Sequence, residues 1–293
     1  METKKASVIV FDIETYSTRD PQMIEKTIND SLKLKPTPTN IKRVACALDD
    51  CEEEEVSAER VKALKGAWHT SEVRAARGAL AVAKTALDPM LASVLVVAYS
   101  VDGSDHVTEI FATAEGERAG LENLAEEWDD LIGPDTLLVG HNIAGFDMPV
   151  LLGAWNRHDI EPPDLFPSFS RGRFHGNFYD TMQQIPNNNG GFVGLELACR
   201  AMGLSTAKSV LWKGEPMDGG RVAQAFEECE FDLLREYCAA DVEAELRLFL
   251  RLTHGGSYGL SRRSDSVREE TAIQRFNTSH AAPDSRALRV LGK

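Results

Sequence analysis

The sequence has few cysteines, a shortage of basic residues and no long apolar run. Its five cysteines form no Cys-x-x-Cys pair and have no zinc-like spacing with histidine, so we expect reduced thiols rather than a disulfide framework or a zinc site. No segment approaches the roughly 20 consecutive apolar residues of a membrane span. The short apolar run near the N-terminus leads directly into acidic residues, which predicts a strand and not a signal peptide. The sequence therefore predicts a cytoplasmic protein without a membrane partner.

Positive charge is scarce throughout the 293 residues. The 46 acidic residues outnumber the 32 lysines and arginines, which gives a net charge of -14. Proteins that bind nucleic acid through overall electrostatics usually have a basic surface, so this protein would have to bind a polyanion locally. Clustered carboxylates permit this when they hold cations, because the bound cations reverse the local sign of the charge.

Hydrophobic periodicity predicts an α/β fold. The predicted strands cover residues 7–13, 91–101, 106–112 and 136–139, and the predicted helices cover 119–132, the run after Asp147 and 231–252. This order of strands and helices predicts a mixed sheet flanked by helices. Hydrophobic residues make up 43% of the chain, which is enough for one large core.

Residues 1–253 are predicted to form a single domain. Between its first and second strands lies a long, mostly helical insertion, residues 16–90. A solvated helical hairpin packed on the sheet is one interpretation of this insertion, and a contribution to nucleic-acid binding is the other. The second interpretation would use Lys33, Lys35, Lys42 and Arg43. Residues 254–293 have Gly-Gly, Ser-rich stretches and mixed charge, and we predict that they form a flexible tail.

The first of three acidic motifs lies on the first predicted strand. Alternate residues of a strand point to the same side, so Asp12 and Glu14 share one face while Ile13 lies on the other. The preceding residues SVIVF are apolar on both faces, as in a central strand, where unpaired carboxylates are costly. An exposed Asp-x-Glu at a strand end would simply be solvated. We interpret this buried pair as ligands of a metal ion.

The second motif follows the fourth predicted strand. His141 and Asn142 lie where this strand ends, Gly145 permits a tight turn, and Phe146 and Asp147 precede an apolar helical run. We predict that Asp147 is the N-cap of this helix. We also predict that its carboxylate faces the carboxyl end of the sheet, where open α/β folds bind their ligands.

The third motif lies on the helix predicted at 231–252. Tyr237 and Asp241 are four residues apart, so they are neighbours on one flank of the apolar stripe of this helix. A tyrosine beside such a stripe is often only a packing residue. Its position one turn before a carboxylate, after two earlier acidic motifs, favours a functional pair.

Four carboxylates would meet in one pocket: Asp12, Glu14, Asp147 and Asp241. Without compensating cations they would become protonated or destabilise the fold. Two divalent cations balance their charge, and ligation by oxygen alone favours Mg²⁺ or Mn²⁺ over zinc. Two such ions roughly 3.5 to 4 Å apart form a clamp for in-line phosphoryl displacement. Tyr237 would then hydrogen-bond to the attacking water and orient it, because a phenol with a pKa of about 10 keeps its proton at neutral pH.

Together the three motifs resemble those of the DEDD 3′-to-5′ exonucleases of the DnaQ-like superfamily, which has a ribonuclease H-like fold. The resemblance covers Asp12 to Asp241, and Tyr237 indicates the tyrosine-bearing DEDDy branch. The histidine-bearing branch has a histidine five residues before the last aspartate, where this chain has Glu236. Within its branch, the chain is similar to stand-alone exonucleases, often encoded by phages or prophages, that resemble the proofreading domain of B-family DNA polymerases.

The resemblance implies a substrate and a setting. Such an enzyme releases nucleoside 5′-monophosphates from the 3′ ends of single-stranded or frayed DNA, in a bacterial or phage-infected host cytoplasm. RNA is the rival substrate, because discrimination depends on contacts to the 2′-OH and these motifs bind only the backbone and metal ions. A third hypothesis is an inactive module that recruits a replication or recombination partner.

The resemblance also implies residues that would surround the substrate. Thr15 would contact the terminal nucleotide, and Asn142 and Phe146 would lie near the penultimate sugar or base. Asp180 would line the site, and Lys208 would bind a phosphate. Alternatives for these last two are a helix cap for Asp180 and a solvated side chain for Lys208.

Overall fold

The computed structural model describes residues 6–49, 51–185, 191–206 and 210–254. Lys208 and residues 255–293 of the predicted tail lie outside the described residues. The chain divides after Leu252, and every described helix and strand belongs to the unit Met1–Leu252. Within the described part of the chain, no helix has both the length and the apolar character needed to cross a membrane.

Four described α-helices separate the first two strands of this unit, and further along the chain strands and helices alternate in short runs. Its strands are β1 (Val8–Tyr16), β2 (Ser93–Val101), β3 (Val107–Ile110), β4 (Leu137–Gly140), β5 (Ser168–Ser170), β6 (Arg173–His175), β7 (Phe178–Asp180), β8 (Leu211–Trp212) and β9 (Glu215–Pro216). Its α-helices are α1 (Pro21–Ser31), α2 (Pro38–Asp49), α3 (Ala58–Gly66), α4 (Ser71–Ala83), α5 (Ala114–Leu131), α6 (Asp147–His158), α7 (Leu195–Ala201), α8 (Val222–Glu227) and α9 (Phe231–Leu252).

Five strands form the central sheet in the order β3-β2-β1-β4-β7. β2 runs antiparallel to β1, with Ile9 opposite Val101, and β3 continues this antiparallel half. β4 runs parallel to β1, with Val8 opposite Leu137, and β7 runs parallel to β4. The carboxyl ends of β1, β4 and β7 therefore meet at one edge of the sheet. The predicted fold class is confirmed: a mixed sheet flanked by helices, consistent with a ribonuclease H-like fold.

The two faces of β1 pack against different layers. Phe11 and Ile13 lie in a core with Trp128 of α5, and the rings of Phe11 and Trp128 meet edge to face with centroids 5.0 Å apart. Because side chains alternate along a strand, Asp12 faces the opposite layer. There the Sγ atom of Cys238, on α9, lies 3.4 Å from Asp12 Oδ2. The alternation of β1 thus directs its carboxylates toward α9.

Helix α5 begins at Ala114, earlier than the predicted residue 119. Thr113 caps it, since its hydroxyl accepts a hydrogen bond from the N–H of Gly116 at 3.0 Å. In the first turn, buried Glu117 accepts a hydrogen bond from the N–H of Val94 at 2.9 Å and pairs with Arg19 at 3.4 Å. Polar contacts therefore determine where this helix starts. The prediction, which used the spacing of apolar residues, could not detect them.

The insertion between β1 and β2 has a small core of its own. This core contains Ile41, Val44, Ala45, Leu64, Trp68 and Val73. The guanidinium of Arg77 is buried, lies 4.2 Å from the centre of the Trp68 ring and donates hydrogen bonds to backbone carbonyls of Ser31 and Leu34. The helices of the insertion therefore pack on one another through buried apolar surface and one buried cation.

Three of the four basic residues considered for nucleic-acid binding make contacts inside the insertion. Lys33 Nζ lies 2.7 Å from Asp30, and Arg43 Nε lies 3.5 Å from Glu53. Lys42 Nζ donates to the carbonyl of Glu53 at 3.2 Å. These contacts favour the interpretation of the insertion as a packed helical unit, and a contribution to nucleic-acid binding stays a prediction.

The end of the insertion is held against β1. Residues Lys84–Leu87 form a 3-10 helix, and the hydroxyl of Thr15 donates to the carbonyl of Ala86 at 2.7 Å. The N–H of Thr18 donates to the hydroxyl of Thr85 at 2.8 Å. These two hydrogen bonds fix the 3-10 helix beside the carboxyl end of β1.

Candidate active site

A cavity of about 600 Å³ lies at the carboxyl edge of the sheet. It brings together the three acidic motifs, which arrive from β1, from the loop between β4 and α6, and from α9. The motif residues in its lining are Asp12, Glu14, His141, Asn142, Phe146, Asp147, Tyr237 and Asp241. Lysine and arginine are absent from the described lining residues, so among them no basic side chain other than His141 faces the acidic groups of the cavity.

Asp12, Glu14 and Asp241 form the tightest carboxylate group of the cavity. One oxygen of each lies within 4.8 Å of one oxygen of the other two. Two of these residues are alternate positions of β1, and the third stands on the face of α9 that packs on β1. Three carboxylate oxygens at this spacing suit a hard divalent cation such as Mg²⁺ or Mn²⁺.

Asp147 lines the same cavity but is not the predicted N-cap. Helix α6 begins at Asp147 itself, its N-cap residue is Phe146, and no side chain caps it. The preceding turn supplies backbone acceptors instead, because the N–H of Met148 donates to Ile143 O at 3.0 Å. The backbone N–H groups of Asp147 itself and of Ile13 on β1 lie near the Asp147 carboxylate and lower its pKa, which opposes the effect of burial. The prediction was wrong about the cap, and the side chain faces β1.

Burial and mutual repulsion disfavour the charged forms of these carboxylates. Burial raises the pKa of Asp147 and of Asp241 to about 7. Burial also raises the pKa of Asp12, as do the charges of Glu245 and Asp147, and it raises that of Glu14 together with the charge of Asp241. A bound cation would relieve this repulsion, so the electrostatics of the site fit a metal ion.

Tyr237 stands one turn before Asp241 and is almost fully buried. Burial raises its pKa well above the ordinary value, and the charges of Glu14, Asp241 and Asp12 raise it further. Its hydroxyl donates a hydrogen bond to the carboxylate of Asp241. The phenol therefore keeps its proton at neutral pH and is available as a hydrogen-bond donor at the carboxylate group.

A fifth carboxylate, which sequence reasoning missed, lines the cavity. Glu245 is 1% exposed and lies on α9 one turn after Asp241. Its Oε1 accepts a hydrogen bond from the N–H of His141 at 2.8 Å. The available signal was the four-residue spacing that continues from Tyr237 through Asp241 to Glu245, which places all three on one side of the helix.

The loop after β4 is held by Asp180, the last residue of β7. Its buried carboxylate accepts hydrogen bonds from the N–H of Asn142 at 3.0 Å and of Ala144 at 3.3 Å. It also accepts from the N–H of Met182 and from the side chain of Gln183, each at 3.0 Å. Asp180 is not among the described lining residues of the cavity, and its carboxylate supports the loop after β4; contact with a substrate stays a prediction.

The other predicted substrate-binding residues have different positions. Asn142 and Phe146 line the cavity, and Asn142 adopts the left-handed conformation with φ of 63°. A Cβ atom at Gly145 would lie 2.3 Å from Asn142 Oδ1, so any other residue there would displace the Asn142 side chain. Thr15 is outside the lining and holds the 3-10 helix through Ala86. Lys208 lies outside the described residues.

A carboxylate group that could hold a metal ion, at the carboxyl edge of a ribonuclease H-like sheet, is consistent with a nuclease. The chain belongs to the family described as predicted 3′-5′ exonucleases related to the exonuclease domain of PolB, whose model matches residues 83–278. The resemblance to the exonucleases of B-family polymerases is thereby confirmed. No curated protein matches the chain.

The family match contains only part of the acidic cluster. Asp147, Tyr237 and Asp241 lie within residues 83–278, whereas Asp12 and Glu14 precede them. The insertion separates β1 from the matched segment along the chain. In the fold, β1 pairs with β2 and β4, both of which lie in the matched segment. Asp12 and Glu14 therefore lie close to Asp241, although the family match does not include them.

Proposed function

We propose that this protein is a 3′-to-5′ exonuclease that releases nucleoside 5′-monophosphates from single-stranded or frayed DNA ends by two-metal-ion hydrolysis of the phosphodiester bond. The group of Asp12, Glu14 and Asp241 in the cavity is the observation that carries this proposal. The relation of the family to the exonuclease domain of PolB supports DNA as the substrate.

The metal-binding residues in this proposal are the four carboxylates Asp12, Glu14, Asp147 and Asp241, which would hold two ions of Mg²⁺ or Mn²⁺. When bound, such ions activate water as a nucleophile and stabilise the leaving 3′ oxygen. The spacing of the first three oxygens, the oxygen-only ligands and the raised pKa values support this assignment. Asp147 brings a further buried carboxylate to the same cavity.

The role proposed for Tyr237 is to orient the attacking water by a hydrogen bond. Its raised pKa argues against removal of a proton from the water. Because its single O–H points to Asp241, the phenol oxygen would accept a hydrogen bond from that water. Asp241 fixes the hydroxyl of Tyr237 through the hydrogen bond that they share. On adjacent turns of α9, Asp241 would thus bind a metal ion and Tyr237 would orient the attacking water.

Oligonucleotides labelled at either end test the reaction. With Mg²⁺, we expect a 3′-labelled DNA strand to release labelled mononucleotide at once and a 5′-labelled strand to shorten stepwise, while a chelator stops both. Immediate release of mononucleotide from the 5′ label, or cleavage that persists without divalent cations, would contradict the proposal. Matched RNA strands belong in the same experiment, and RNA degraded as fast as DNA would remove the proposed preference.

Exposed apolar side chains lie at the mouth of the cavity, which supports an unpaired 3′ end as the substrate. Phe192 is 74% exposed and Leu87 is 73% exposed, and both line the cavity together with half-buried Phe146. The 3-10 helix that carries Leu87 is fixed to β1, so this side chain is presented on a rigid element. Exposed rings can stack on bases only where the bases are not paired, and stacking does not need cationic side chains.

Replacing Phe192 by alanine is expected to raise the KM for single-stranded DNA roughly tenfold with a much smaller change in kcat, since loss of one stacking partner costs about 1 to 3 kcal/mol. Steady-state kinetics on a short strand measures this. Phe169, 53% exposed and outside the cavity, offers a matched control as Phe169→Ala, which should leave KM unchanged. An unchanged KM in the Phe192 variant would remove the stacking role.

A further inference from the structure

Glu245 has one satisfied and one unsatisfied carboxylate oxygen. Oε1 accepts the hydrogen bond from the N–H of His141 at 2.8 Å, which joins α9 to the end of β4 across 104 positions of the chain. Oε2 is buried and has no hydrogen-bond donor among the described residues. A buried carboxylate oxygen without a partner is costly, so this atom requires a proton, a water molecule or a cation.

The surroundings of Glu245 indicate which partner it has. The residue lines the same cavity as Asp12 and Asp147, on the same side of α9 as Asp241. Among charged groups, Glu245 has the largest effect on the pKa of Asp12, and Asp147 has the largest effect on that of Glu245. Glu245 therefore lies close to two other carboxylates of the site, that of Asp12 on β1 and that of Asp147 on α6.

Two roles are compatible with the hydrogen bond to His141. A purely structural role would need only an acceptor for this N–H, which a glutamine also provides. In that case the unpaired Oε2 and the negative charge of Glu245 would destabilise the fold without serving a function, since a glutamine of the same size would fit at this position. A role at a cation uses both oxygens and the charge.

We propose that Glu245 is a positioning residue of the nuclease site, whose Oε2 accepts hydrogen bonds from water ligands of a divalent cation held by Asp12 and Asp147 while Oε1 holds the loop after β4. This inference rests on the metal ions of the proposed function. Partners that orient the ligands of a metal ion from outside typically change its affinity 10- to 100-fold.

Calorimetric titration of the full chain with Mn²⁺, without nucleic acid, tests this role. Glu245→Gln keeps an acceptor for the N–H of His141 and removes the charge. We expect this variant to melt at the temperature of the unmodified protein or higher and to bind Mn²⁺ about tenfold or more weakly. Exonuclease assays should show a matching rise in the Mn²⁺ concentration needed for half-maximal activity, with substrate KM little changed.

Two matched variants separate this role from a general loss of charge. Glu236→Gln removes an exposed carboxylate from the same helix, and Glu196→Gln removes one from the rim of the same cavity. Both should bind Mn²⁺ nearly as the unmodified protein does. Equal weakening in Glu196→Gln and Glu245→Gln would overturn the proposal, because charge alone would then explain the loss.

The outcomes also distinguish this inference from the proposed function. Unchanged Mn²⁺ affinity in Glu245→Gln, with activity still lost in Asp241→Asn, would overturn the role of Glu245 and leave the nuclease intact. No Mn²⁺ binding by the unmodified protein would overturn both. If the glutamine variant does not fold, Glu245→Leu replaces it, and a folded leucine variant with unmodified Mn²⁺ affinity would likewise contradict the proposal.

Discussion

Asp241→Asn will leave a folded protein whose exonuclease activity is reduced by roughly a thousandfold or more. Asp241 contributes one of three carboxylate oxygens within 4.8 Å of one another, and it accepts the hydrogen bond of Tyr237. An amide keeps the size of the side chain but removes the charge, so cation binding and the orientation of Tyr237 are both weakened. Loss of several kcal/mol of transition-state stabilisation by a metal ion corresponds to about three orders of magnitude in rate.

Release of mononucleotides from a labelled strand in saturating Mg²⁺ measures this loss. Asp232→Asn is the matched control, since Asp232 is an exposed aspartate on the same helix that pairs with Arg235 at 2.7 Å. Its activity should stay within about twofold, because an exposed ion pair contributes little. Activity in Asp241→Asn within tenfold of the unmodified protein would show that this carboxylate does not hold a catalytic ion.

The metal-free protein will lose stability as the pH rises from about 4 to about 7. Burial raises the pKa of Asp147 and of Asp241 to about 7, against about 4 for an unfolded chain. A carboxyl group with a raised folded-state pKa contributes stability that is complete below the unfolded value and is lost as the pH rises through the folded value. Asp12 and Glu14 shift in the same direction, so they continue the loss.

Thermal melts in a chelator should therefore show a melting temperature roughly 10 °C lower at pH 8 than at pH 5, since several kcal/mol are involved. Saturating Mg²⁺ should restore most of this difference at pH 8, because a ligand that binds only the folded state stabilises it. Asp241→Asn lacks one of the titrating groups and should have a shallower pH dependence in the chelator. A melting temperature that rises from pH 5 to pH 8 would contradict the raised pKa values.

Much of the fold follows from local sequence pattern. The apolar segment before Asp12 predicts a central strand, and the apolar stripe of α9 predicts the helix with the bounds that it has in the structure. Both depend on burial of regular apolar faces, which periodicity records directly. The start of α5 was missed because a threonine cap and the buried ion pair of Glu117 determine it.

The candidate site was predictable only where its geometry is local. The alternation of β1 places Asp12 and Glu14 on one face, and the turn of α9 places Tyr237 beside Asp241. Contacts distant in sequence were not predictable. The bond between Glu245 and His141 joins positions 104 apart, and the hydrogen bonds of Asp180 to the loop after β4 span 36 and 38 positions.

The error at Asp147 has a similar origin. An aspartate before an apolar helical run is typical of an N-cap, and Pro149 places the first turn nearby without deciding which residue caps it. In the structure the turn from Asn142 to Phe146 satisfies backbone groups through its own carbonyls, and the helix starts at Asp147. The conformation of a six-residue loop therefore decided the role of one side chain.

The separation of β1 and α9 along the chain sets how late the carboxylate group can form during synthesis. Asp12 touches Cys238 across 226 positions, so the first acidic motif leaves the ribosome about 10 to 45 s before the helix that it packs on. The core residues of the insertion are closer to one another in sequence, and contacts between residues close in sequence form faster than contacts across 226 positions. A nascent chain can therefore pair β1 with β2 and β4, but the face of β1 that carries Asp12 stays uncovered until α9 emerges, and the carboxylate group forms last.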